Sequence, residues 1–237
     1  MAQKMIDLTQ RNAAKVAGFT IVIMAIAAVI STDATIGKLF VSGNASKTFT
    51  NISASPLLFR TGIFSWLVIL VCDVLAAWGL YLFFKPVNKK LSLISAWFRL
   101  IYVAILGTAI VSLIDVLPYL SESEYLSTLD TEYLRAQVLF SVDSFYNIWA
   151  FGLIVFGIHI LFLGYLAVKS GFVPRILGIL LLLAFLGYII TNSSNLLFPQ
   201  YKNAMKIVEL IFLIPMLGEV ALGIWLLYKG FKREAVQ

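Results

Sequence analysis

Two apolar runs, 60–84 and 91–117, are separated only by the polar turn Lys85-Pro86-Val87-Asn88-Lys89-Lys90. About 20 apolar residues are enough for a helix to cross the hydrocarbon core of a bilayer. Backbone at that depth has no water to bond with, so an isolated span must be helical. The pair therefore predicts a transmembrane hairpin, and that excludes most soluble architectures at once. Similar runs recur at about 14–31, 145–168, 174–191 and 207–228. Six spans predict an all-α polytopic membrane protein, a bundle of six transmembrane helices forming a single domain over residues 1–237. Composition agrees: 61% of the chain is hydrophobic and 13% charged, with mean hydropathy +0.95. Soluble domains are nearer half apolar and a quarter charged.

The segments between the runs suggest how the spans are joined. The basic start followed by an apolar run resembles a signal peptide. Ser31-Thr32-Asp33-Ala34 is a poor cleavage sequence, so a retained first helix is expected. Residues 32–59 are rich in Ser, Thr, Asn and Gly and read as a long loop lying partly on the membrane surface. Asn44 and Asn51 there match the glycosylation pattern, which is common by chance and carries little weight. Between Asp115 and Asp143 fall six of the chain's twelve acids against one base, Arg135. Leu126, Leu129, Tyr133 and Leu134 keep helical spacing within that stretch. They predict a short amphipathic helix at the outer surface.

Charge sets the expected orientation. With the N-terminus inside, eleven of the eighteen bases fall on inner segments and six on outer ones, and Arg99 is intramembrane. Short cytoplasmic loops carry such an excess, so both termini are expected in the cytoplasm. The net charge of +6 follows from the same bias and does not imply nucleic acid.

Four ionisable residues interrupt the apolar runs. Asp73 precedes Lys85 by twelve residues, Arg99 follows Lys90 by nine, and His159 and Glu219 each precede a lysine by ten. At about 1.5 Å per residue these offsets correspond to depths of about 14 to 18 Å, near the middle of a core about 30 Å thick. Charged groups there are costly and mark either a pairing or a task. Three of the helices repeat a pattern of ionisable residue, glycine, aromatic and lysine: Asp73-Gly79-Tyr81-Lys85, His159-Gly164-Tyr165-Lys169 and Glu219-Gly223-Trp225-Lys229. Aromatics and lysines anchor interfaces, and glycine lets helices approach. Packing gives no reason for the ionisable residue. Asp73 and Arg99 on adjacent antiparallel helices are expected to pair, which a static ion pair explains as well as a functional role does. Pro215 is expected to kink the last span one turn before Glu219. Glu219 is expected to share a polar cavity and a proton with His159 on a parallel helix. Asp143 and Glu209 lie near span ends and are expected to be wet.

The runs Asp73-Val-Leu-Ala-Ala-Trp-Gly-Leu-Tyr-Leu, Phe98-Arg-Leu-Ile, Gly157-Ile-His-Ile-Leu-Phe-Leu-Gly-Tyr-Leu, Val173-Pro-Arg-Ile-Leu-Gly and Gly218-Glu-Val-Ala-Leu-Gly-Ile-Trp-Leu-Leu-Tyr-Lys-Gly occur in this order. Together they resemble the bacterial membrane-protein family known as domain of unknown function 4386. The resemblance implies a six-helix protein of the bacterial inner membrane, and no established activity comes with it. It places the family's polar positions at Asp73, Arg99, His159, Arg175 and Glu219. Relatives often carry an acid three positions after the arginine, where this chain has Tyr102.

Three functions fit these residues. The first is a structural or regulatory membrane subunit whose charges hold its own bundle together. The alternative is a small proton-linked transporter or permease with Asp73, Arg99, His159 and Glu219 around a mid-membrane site. An intramembrane enzyme ranks last. Asp73, His159 and Glu219 could supply three metal ligands, but one His and one Cys make a poor zinc set. No nucleophile stands beside a base, so no catalytic residue, cofactor or metal is assigned. The lipid bilayer is the partner the sequence implies.

Overall fold

A computed structural model describes residues 8–120 and 129–232, apart from the side chains of 202–204 and 209. The chain opens with α1 (Leu8–Val29), which passes through a π-helical stretch (Ile30–Thr35) into α2 (Ile36–Leu39). Then come α3 (Ala45–Ala54), α4 (Pro56–Phe84) and α5 (Lys89–Ile114), with a 3-10 turn at Leu117–Leu120. The remainder is α6 (Thr131–Ser170), α7 (Arg175–Leu197), a 3-10 turn (Pro199–Tyr201), α8 (Lys202–Met216) and α9 (Gly218–Phe231). No strand occurs among the described residues. Six helical stretches are long and apolar enough to cross a membrane: Leu8–Leu39, Pro56–Phe84, Lys89–Leu120, Thr131–Ser170, Arg175–Leu197 and Met205–Phe231. The chain is an all-α, multi-pass membrane protein, as the apolar runs require.

The helices are apolar on both faces, as lipid demands. On α4, Trp66, Ile69, Asp73, Ala76, Ala77 and Leu80 are buried, while Phe64, Leu67, Val71, Leu75 and Trp78 are exposed. Both sets follow the helical repeat, and the only charge on the exposed face is Arg60, near the start of the helix.

Two expected connections differ. The stretch 32–59 is helical through most of its length. Asn44 caps α3 by accepting from the Lys47 N–H at 2.9 Å, and the Asn51 side chain donates to the Leu39 carbonyl at 3.2 Å. Polar composition suggested a loop, but these side chains serve local caps and turns. Pro56 opens α4, where its missing N–H costs nothing. Tyr133 and Leu134 do not form a separate surface helix; they lie in the first turns of the 40-residue α6. Leu126, Glu122 and Glu124 lie outside the described residues. The last span is interrupted only at Leu217, between α8 and α9, where the backbone stays near-helical (φ −71°, ψ −7°) and the Leu217 N–H still reaches the Leu213 carbonyl at 3.2 Å. Pro215 lacks the N–H that would continue the ladder, and the irregularity expected there takes the form of this one-residue turn.

By contact density the chain forms two compact units: residues 1–23, 71–103 and 150–237, and residues 24–70 and 104–149. The first is built on small residues at helix contacts. A Cβ on Gly79 of α4 would lie 2.9 Å from the Ala17 nitrogen of α1. One on Gly164 of α6 would lie 3.0 Å from the Gly178 oxygen of α7, and one on Gly223 of α9 would lie 2.7 Å from an Ile21 methyl of α1. Each glycine of the threefold pattern is therefore a point where another helix presses in. The turn between α6 and α7 is closed by the Ser170 hydroxyl, which accepts from the Val173 N–H at 3.0 Å. Gly171 takes φ +74° there, a left-handed backbone that glycine adopts without strain. The second unit has an aromatic core. Trp66 meets Phe145 at 5.0 Å and Trp149 at 4.9 Å between ring centroids, and Phe40 meets Tyr146 at 5.1 Å.

Candidate functional site

The four interior ionisable residues all belong to the first unit and converge on one guanidinium. Arg99 is fully buried, with Asp73 2%, His159 1% and Glu219 8% exposed. Asp73 reaches it from α4: Arg99 Nε donates to Asp73 Oδ1 at 2.9 Å, and Nη2 lies 2.6 Å from the same oxygen. Glu219 reaches it from the first turn of α9, where Oε1 accepts from Nη1 at 2.5 Å. His159 reaches it from α6, with Nε2 3.1 Å from the same Nη1. Beneath the guanidinium lies the Phe156 ring, 5.3 Å from Arg99 Cζ. A planar cation of this kind suits such a site, because its fork serves several acceptors while its face rests on an aromatic ring.

The hydrogen bonds assign the histidine tautomer. A guanidinium nitrogen only donates, so Nε2 of His159 must accept and carries no proton. Nδ1 lies 2.9 Å from the Ser95 carbonyl oxygen, which only accepts, so the proton sits on Nδ1. The Ser95 hydroxyl completes the link, donating to the His159 carbonyl at 3.2 Å. His159 is therefore a neutral imidazole clasped between α5 and α6. Beside it, a narrow cleft lined by Ala77, Tyr81, Ser92, Ser95 and Leu163 leaves no room for a water-sized sphere.

The expected Asp73 and Arg99 pair is present. Glu219 and His159 also meet, but what they share is a donor, Arg99 Nη1, and not a proton between carboxyl and imidazole. Arg175, the fifth polar position implied by the resemblance, is exposed at the start of α7 and takes no part. Tyr102, in place of the relatives' acid, packs against Phe156 at 4.9 Å. Asp143 is only partly exposed, and the Glu209 side chain lies outside the described residues. Asp73, His159 and Glu219 surround an arginine, and among the described residues no three His, Cys, Asp or Glu converge as metal ligands.

Three participants escaped the sequence reading. Ser95 sits four residues before Arg99 and Phe156 three before His159, so helical spacing alone could have found them. Tyr188 of α7 meets Phe156 edge-on at 5.3 Å and lies within electrostatic reach of Glu219, Arg99 and Asp73. Nothing in the sequence singled it out.

Residues 16–230 match the family model described as Domain of unknown function (DUF4386). The chain belongs to the DUF4386 family. An uncharacterized protein of Archaeoglobus fulgidus is 33% identical over 186 residues, covering 78% of this chain and 92% of the relative. Similarity to a DUF4386 member thus extends to an archaeal protein, beyond the bacteria the resemblance implied. No solved structure matches.

Proposed function

We propose that the chain is a small proton-linked transporter or permease of the bacterial inner membrane, with both termini in the cytoplasm and the Arg99 cluster as its proton-carrying centre. One observation carries the reading: a single buried guanidinium faces two carboxylates, Asp73 and Glu219. The imidazole beside it is neutral. An ionised cluster would hold one uncompensated negative charge away from water, which is costly. One proton on the acids restores balance, and its loss or gain changes what Arg99 must hold. Glu219 is the point of access. Its side chain is 11% exposed against 3% for Asp73, and it stands two residues after the one-residue turn at Leu217. Transporters commonly set their sites where a span departs from regular helix. The eleven-to-six distribution of bases supports the orientation.

Reconstituted vesicles test this reading. With a trapped pH-sensitive dye and an imposed membrane potential, vesicles with the protein are expected to take up protons faster than empty ones. Glu219→Gln, which removes the excess acid, is expected to abolish the difference. If the protein and its Glu219→Gln variant are both as tight as empty vesicles, the transporter reading fails.

A second reading has its own support. Arg99 is held from α4, α6 and α9 at once, as a lock would be. On that reading the chain is a structural or regulatory membrane subunit, and the cluster fastens its helices without moving a proton.

A further inference from the structure

Apart from the Arg99 cluster, the ends of α1 and α9 form a feature that it does not explain. Gly230 lets these two helices meet closely: a Cβ there would lie 2.7 Å from Lys15 Cγ and 3.1 Å from the Arg11 carbonyl oxygen. Beside the contact, Phe19, Leu227, Tyr228, Phe231 and Lys232 line an open groove of about 550 Å³. Its aromatic walls are about half exposed, with Phe19 at 49%, Tyr228 at 59% and Phe231 at 56%. Cations gather at one end. Lys15 Nζ lies 4.9 Å from the Phe231 ring centre and Lys232 Nζ lies 5.7 Å from that of Tyr228. One turn before Lys15, Arg11 Nε is buried and has no hydrogen-bond acceptor among the described residues. Among the described residues of α1 and α9 the only acid is Glu219, thirteen positions from Lys232 and so about 20 Å away by helical rise.

We infer that this groove binds an anionic phospholipid, with its phosphate between Lys15 and Lys232 and an acyl chain along Phe19 and Ile23 of α1 and Tyr228 and Ile224 of α9. The charge fits: the head of the groove presents cations, and Arg11 Nε has no acceptor among the described residues. The apolar part fits as well. Residues four apart on each helix continue the groove, and Ile23 and Ile224 are 43% and 58% exposed. A soluble anion would satisfy the lysines and leave the aromatic walls unused. A zwitterionic lipid would fill the groove but bring its own cation to the lysines. Basic recesses between transmembrane helices are suited to acidic headgroups. The inference does not depend on proton transport by the Arg99 cluster.

The test uses the full chain, purified in detergent and stripped of lipid. Dioleoyl phosphatidylglycerol, dioleoyl phosphatidylcholine and glycerol 3-phosphate are added separately, and retained adducts are counted by native mass spectrometry. Phosphatidylglycerol is expected to be retained well above phosphatidylcholine, and glycerol 3-phosphate not at all. The double variant Lys15→Gln/Lys232→Gln is expected to weaken phosphatidylglycerol binding about thirtyfold, from about fivefold per base. Lys38→Gln/Lys47→Gln, which removes bases elsewhere, is expected to leave it unchanged. Should the first variant not fold, Lys232→Gln alone at the exposed end of the groove is read instead, with about a fivefold loss expected. Equal retention of the two lipids overturns the inference. So does unchanged binding in the variant that is read. Glycerol 3-phosphate binding as tightly as phosphatidylglycerol would show a soluble-anion site and also overturn it.

Discussion

Glu219 and His159 meet on a single nitrogen: Arg99 Nη1 lies 2.5 Å from the carboxylate and 3.1 Å from the imidazole. The two residues are sixty positions apart in the chain and on different helices. Neither can change partner without altering the hold on the other, so the cluster behaves as one unit. Its members are expected to be strongly non-additive under substitution.

Charge removal shows this first. Arg99→Gln leaves two acids facing each other in a buried site and is expected to be the most damaging single change, at about 3 to 5 kcal/mol. Asp73→Asn leaves Arg99 with Glu219 and is expected to cost less. The triple variant Asp73→Asn/Arg99→Gln/Glu219→Gln carries no buried charge there and is expected to recover stability relative to Arg99→Gln. Thermal melts in detergent decide the matter. Losses that simply add would show that the three side chains do not act together.

The histidine tautomer can be observed directly. Nitrogen NMR on protein labelled at its single histidine is expected to show a protonated Nδ1 and an unprotonated Nε2. Replacing Arg99 by Gln is expected to shift the Nε2 resonance, because its donor is lost. A protonated Nε2 in the native protein would contradict the assignment.

Much of the site is legible in the amino-acid sequence. Helical rise placed Asp73, Arg99, His159 and Glu219 within about one turn of depth, and they share one guanidinium. The glycines of the repeated pattern were legible too, since Gly79, Gly164 and Gly223 each accept a neighbouring helix. The identity of the hub was not. Rise along a helix gives depth but not azimuth, so Arg99 could not be distinguished from a residue paired with Asp73 alone. The helices within 32–59 were hidden because caps such as Asn44 and turn formers share the composition of loops. The full length of α6 was hidden because its first turns carry acids and tyrosine, as a surface helix would.

Close approach at Gly79 gives a prediction about packing. Gly79→Leu would drive a side chain into the Ala13 and Ala17 backbone of α1. Overpacking of this kind is expected to cost about 1 to 3 kcal/mol, read as a lower midpoint in a detergent melt. Gly43→Asn, at an exposed turn with φ +72° and open space around it, is expected to cost much less. Equal losses would mean that α1 is not packed against α4 as described.

Orientation is settled by labelling. In protein lacking Cys72, Lys90→Cys in the first turn of α5 is expected to react with an impermeant maleimide only in inverted vesicles. Lys47→Cys on α3 is expected to react from the periplasmic side of intact cells. Reaction of Lys90→Cys from outside would reverse the proposed topology.

The order of the charged residues along the chain also bears on how the protein is made. Asp73 and Arg99 are 26 residues apart on consecutive helices, so the ribosome delivers them to the membrane as a hairpin that can enter already neutralised. Glu219 emerges 120 residues after its arginine, on the last span, when the earlier helices have left the exit tunnel. The final helix must therefore bring its acid to a hub that has been waiting with its other partners in place. A chain truncated before Gly218 would lack the element that closes the cluster. Cellular quality control would then have a simple mark of an unfinished molecule: a guanidinium with one carboxylate missing.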